Sequence, residues 1–189
     1  TLFVNNLLRG SGGLFDFSGG TLHADNVQFT LTQDGGTLAP GASPGLTNIF
    51  GDYDFNAGIL EIEINGYDQG DQDPLPPNDD DIGYDFVDVT GEAFLDGMLQ
   101  VVLLDGFLPN VGDTFDVLTA TDVHLEGNFG LDLVPGDFVG GFIARVIPGG
   151  NGEILQLTAV PEPATCTLLA LGLIGLLGCG RRLRSRVTD

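Results

Sequence analysis

The sequence predicts an all-β region over residues 1–159, followed by one C-terminal transmembrane helix over about residues 164–180. Three observations predict it. Short apolar runs before residue 160 alternate with period two, as half-buried strands do. Glycine pairs punctuate them: Gly12-Gly13, Gly19-Gly20, Gly35-Gly36, Gly140-Gly141 and Gly149-Gly150. A charge-free apolar run then extends from Ala164 to Cys179.

The early strands are carried by Val27-Gln28-Phe29-Thr30-Leu31-Thr32 and Leu60-Glu61-Ile62-Glu63-Ile64. Later runs are Phe86–Thr90, Leu99–Leu104, Phe115–Thr119, Phe142–Ile147 and Ile154–Val160. No stretch in this region combines a 3.6-residue period with helix caps. Many short strands suit a sandwich, a barrel or a solenoid. The order of turns favours a solenoid near the N-terminus. Its rungs are expected at Gly13–Phe17, Gly20–Ala24, Val27–Thr32 and Gly36–Ala39. Residues 65–83 depart from this rhythm. They hold Asp68, Asp71, Asp73, Asp79, Asp80 and Asp81 among Pro74, Pro76 and Pro77. Such a stretch is too polar and proline-rich for a strand and reads as an insertion between two rungs.

The apolar run makes a helix of roughly 24 Å at about 1.5 Å per residue. That is near the lower limit for crossing a hydrocarbon core of about 30 Å. A buried core helix is the plainer alternative, but nothing else here is helical and able to pack beside it. Arg181, Arg182, Arg184 and Arg186 follow the run. By the positive-inside rule they anchor its end in the cytoplasm. Cys166 and Cys179 lie at opposite ends of that helix. Their separation of about 20 Å is beyond disulfide reach.

Charge narrows the partners. The chain carries a formal charge of −21 and no lysine. Residues 1–160 hold all but two of the 27 acidic side chains, against Arg9 and Arg145. Nucleic acid is excluded electrostatically. Such a surface attracts divalent cations and resists aggregation. The chain begins at Thr1 without a charged-then-apolar leader. We therefore expect a processed or truncated chain whose export signal lies upstream.

The order Pro161-Glu162-Pro163, apolar span, arginine cluster resembles the bacterial PEP-CTERM sorting signal. The resemblance covers about residues 160–186. It implies an exosortase-type membrane enzyme as partner, which recognises the signal and cuts near Pro161, Glu162 and Pro163. It also implies residence in the inner membrane through the helix, then release to the cell surface or medium. The prolines fit a threaded substrate, because they remove backbone donors and favour an extended segment. Leu176-Leu177-Gly178-Cys179 looks like a lipoprotein cleavage box, but its positive charges follow the apolar run instead of preceding it. A glycolipid-anchor signal would not finish in arginines.

A second resemblance lies in Gly36-Thr-Leu-Ala-Pro-Gly-Ala-Ser-Pro-Gly45, Gly51-Asp-Tyr-Asp-Phe55, Gly58–Ile64, Tyr84–Gly91 and Gly112–Thr119. This succession is similar to the β-helical passenger repeats of autotransporter-type surface proteins. It implies a parallel β-helix-like solenoid for the exported region. The membrane barrel of autotransporters has no counterpart here, so self-translocation is not implied.

The residues offer little chemistry. Counted from Asp79, the sixth position of a calcium loop is Tyr84, where an EF-hand needs glycine. From Asp71, prolines interrupt the ligands. His23 and His124 lack paired metal-ligand spacing, and no Gly-x-Ser-x-Gly elbow is present. We expect no catalytic residue, no cofactor and no metal ligand. The expected role is structural or adhesive, with extracellular polysaccharide or divalent cations as further candidate partners. The alternatives are a polysaccharide-active β-helix enzyme, which needs two carboxylates across a groove, and a calcium-dependent adhesin.

Overall fold

The computed structural model describes residues 1–41, 44–69 and 83–161. They form strands only: β1 (Leu2–Leu7), β2 (Ser18–Val27), β3 (Leu31–Leu38), β4 (Leu46–Ile49), β5 (Tyr53–Ile64), β6 (Asp68–Gln69), β7 (Gly83–Tyr84) and β8 (Phe86–Val89). They continue as β9 (Ala93–Leu95), β10 (Met98–Leu103), β11 (Thr114–Ala120), β12 (Val123–Leu125), β13 (Gly130–Leu133), β14 (Gly140–Pro148) and β15 (Glu153–Pro161). Among the described residues there is no helix. The strands join into one hydrogen-bonded sheet that does not close on itself. The expected transmembrane helix lies outside the described residues.

Pairing is parallel through most of the molecule, and it stacks apolar side chains on apolar ones. Leu2, Leu22, Leu38, Leu60, Leu99 and Leu131 stand in one column of register. Leu7, Val27, Ile49 and Val89 make a second. Leu31, Tyr53, Ala93 and Val123 make a third. The middle members of each column are buried and together form the core. Burying one such side chain is worth roughly 1.5–3 kcal/mol.

The step between neighbouring strands is 22 residues at Thr32–Asp54 and at Asp34–Asn56. It grows to 40 residues at Asp52–Glu92, the step that contains the acidic insertion. The added residues leave the strand register on either side of them intact. The two ends of the insertion lie together, since β6 pairs β7 and β7 pairs β5.

Two expected rungs are corrected. Gly13–Phe17 is not a strand. Its aromatic residues fill a gap instead, with Phe17 buried and Phe15 packed against Phe17 and Phe29. Val27–Thr32 is not one strand but a corner, with β2 ending at Val27 and β3 starting at Leu31. Val27, Phe29 and Leu31 are all buried, so the alternation runs unbroken through the bend and does not reveal it. Asp68 and Gln69, placed in an irregular loop, form the short β6.

Glycine permits an irregularity inside two strands, where the β3–β5 register shifts between Asp34 and Thr37. Gly36 (φ +71°) and Gly58 (φ +99°) have backbones that favour glycine. A Cβ at Gly58 would strike the carbonyl oxygen of Gly36. Gly58→Ala should therefore cost about 1–3 kcal/mol for the backbone conformation alone. Chemical denaturation should show the loss, with an unchanged m-value if the compactness of the folded and unfolded states is kept.

Among the described residues, three polar side chains are fully buried: Gln33, Thr47 and Asp85. Each ties strands together. Gln33 accepts the Tyr53 hydroxyl at 2.7 Å and donates to the carbonyls of Gly36 and Ile59. Thr47 donates to the Ala24 carbonyl at 2.6 Å. The Asp85 carboxyl accepts the N–H of Gly45 at 2.6 Å and of Glu63 at 2.8 Å.

The last strand runs against its neighbours. β15 pairs antiparallel with both β11 and β14. It thus ends the parallel series and carries the chain to Pro161.

Candidate functional site

The site legible in the sequence begins where β15 ends. Leu155, Leu157 and Ala159 alternate inward and are buried. That burial fixes the register, because a one-residue slip would expose all three. Ala159 is held on both backbone groups. Its N–H donates to the Asp113 carbonyl at 2.9 Å, and its own carbonyl accepts the Gly112 N–H at 2.8 Å. On the other side, Val160 pairs with Gly141 and Pro161 with Gly140.

Along a strand, alternate residues direct their backbone groups to the same neighbour. Pro161 therefore turns its nitrogen toward the β11 side, as Ala159 does. Its expected partner there lies beyond Gly112, before β11 begins, so the missing N–H breaks no ladder bond. Proline is tolerated in a strand at such a place. Of the expected site residues, Pro161 is placed, in the terminal pair of β15. Glu162, Pro163, Arg181, Arg182, Arg184 and Arg186 lie outside the described residues, as do Asp71, Asp73, Asp79, Asp80 and Asp81 of the insertion.

Asp113 gathers the surroundings of this exit. Its carboxylate accepts the Tyr67 hydroxyl at 2.7 Å and the Asn110 N–H at 2.7 Å. The Tyr67 hydroxyl, then the Asn110 N–H, hold this carboxyl below the usual aspartate range. Tyr67 stacks on Phe115 and meets Phe107 edge-on. Gln69 donates to the Asp116 carbonyl at 2.8 Å. The base of the acidic insertion is thereby pinned to β11, one strand from β15. Tyr67→Phe should raise the Asp113 pKa toward its ordinary value, measured by carboxyl-carbon NMR titration. The sequence held no sign of this hub, because its partners lie 46 residues apart at Tyr67–Asp113.

The end of β15 is also where a known motif begins. Residues 159–184 match the PEP-CTERM protein-sorting motif. The match starts on Ala159, a buried residue of β15. The PEP-CTERM motif implies exosortase-dependent sorting of an exported protein that is transiently associated with a membrane. No curated protein and no solved structure matches the chain.

Proposed function

We propose that this chain is an exported bacterial surface or extracellular-matrix protein. An exosortase processes it at the PEP-CTERM motif. Its β region is a parallel β-solenoid with a structural or adhesive role and no catalytic activity of its own. The observation that carries the reading is the match of residues 159–184 to the sorting motif. The solenoid is supported by the three parallel columns of inward side chains and by the 22-residue spacing at Thr32–Asp54 and Asn26–Asn48. The likeness of residues 36–119 to autotransporter-type passengers points the same way. The helix over about residues 164–180 holds the precursor in the inner membrane, with Arg181, Arg182, Arg184 and Arg186 in the cytoplasm. Divalent cations or extracellular polysaccharide are the partners that an acidic surface of this kind would meet after release.

Expression with and without an exosortase tests the proposal. Without the enzyme, the full-length chain should stay in the membrane fraction after carbonate extraction. With it, a shorter chain should leave that fraction. A chain that is membrane-bound and uncut in both hosts would leave a permanently anchored protein as the better account.

A further inference from the structure

The fold carries an exposed apolar rim where the chain exits. Val139 is 72 % exposed and Val111 63 %. Leu108, three residues before Val111, is 52 % exposed. Register places the two valines on either side of the exit. Val111 precedes Gly112, whose N–H holds Ala159. Val139 precedes Gly140, the partner of Pro161. Neighbouring strands are about 4.8 Å apart, so the valines flank Pro161 at roughly one strand spacing each.

Chain length decides what this rim meets. Only Glu162 and Pro163 separate Pro161 from Ala164, where the apolar run starts. At no more than about 3.6 Å per residue, Ala164 lies within about 11 Å of Pro161. A body tethered so closely to a membrane span cannot hold this end away from the lipid.

We propose that the rim formed by Leu108, Val111 and Val139 rests on the lipid interface while the tail spans the membrane. The inference depends on the membrane-anchored precursor proposed above. Valine and leucine supply apolar contact without the cost of burying charge. The neighbouring carboxylates are compatible with shallow seating. Asp113 is engaged by Tyr67 and Asn110, and Asp105 accepts from Asn65. Asp137 is exposed two residues before Val139, which limits the contact to headgroup depth. The rim also orients the body, so that the segment after Pro161 is presented to a membrane-embedded enzyme at a fixed height.

The test uses the full chain with Cys166→Ala and Cys179→Ala. Single cysteines are introduced by Val111→Cys, Val139→Cys and, as a distant exposed control, Leu14→Cys. Each is labelled with a fluorophore and reconstituted into phosphatidylcholine vesicles. Protease protection first reports whether the tail is inserted. Lipid-borne nitroxide should quench positions 111 and 139 severalfold more than position 14, and aqueous iodide should show the reverse order. Adding Leu108→Asp should restore iodide access at position 139 without unfolding the domain, since residue 108 is already exposed. An inserted tail with equal iodide access at all three positions overturns the proposal. So does shielding from both quenchers, which would mean that the insertion or a second copy covers the rim. A tail that fails to insert overturns the membrane-anchored precursor itself.

Discussion

Asp85→Ala is expected to destabilise the β region by about 2–4 kcal/mol. The substitution leaves the buried N–H of Gly45 and the half-buried N–H of Glu63 without this acceptor, at about 1–3 kcal/mol for a fully buried group. Relief of the buried carboxyl offsets part of that loss. Burial pushes the Asp85 pKa well above its ordinary value, and the nearby Glu63 and Glu61 carboxylates add to the shift. The sign of the pH dependence comes from linkage. A carboxyl whose folded pKa is raised binds its proton more tightly in the folded state. Its contribution to stability is complete below the unfolded pKa and declines as pH rises through the folded pKa. Glu61 is raised as well, mainly by burial, and acts in the same direction, whereas Asp113 acts in the opposite one. Denaturation between acid and neutral pH should show a decline that is smaller in Asp85→Asn. An unchanged slope in that variant would contradict the assignment.

Replacing Glu162 with alanine has the largest expected functional effect. It alters the one charged residue of the Pro161-Glu162-Pro163 segment and leaves the apolar run untouched. Membrane insertion should persist and processing should stop, so the uncut chain accumulates in the membrane fraction. Serine at Arg181, Arg182, Arg184 and Arg186 should act differently, disturbing orientation first, if the proposed arginine anchor keeps that end in the cytoplasm. Equal processing of wild type and Glu162→Ala would remove that residue from recognition.

The sequence revealed the strands more readily than the paths between them. Leu60–Ile64 and Ile154–Val160 alternate with period two, and both lie within observed strands. The corner at residues 28–30 stayed hidden, because side chains alternate inward through the bend as they do along a strand. Asp85 was hidden for another reason. A carboxylate reads as surface in a chain this acidic, and its two donors lie 40 and 22 residues away. The reversal at β15 left no mark in periodicity, since antiparallel and parallel strands share the same alternation. The sorting motif was legible because its parts are contiguous and need no partner elsewhere in the chain. The exposed valines at its root acquired meaning only from the register that sets them beside Pro161.

Sorting at the motif is the central claim, and the intact mass of the protein released by the native host tests it most directly. β15 holds the chain through Pro161, with Ala159 bonded on both backbone groups. The cut should therefore fall at or beyond Pro161, and the released chain should lack the apolar run and the arginines. The β region should remain whole. A released protein whose mass includes Arg181–Arg186 would contradict the account. A terminus between Glu153 and Val160 would contradict the role given to β15 alone.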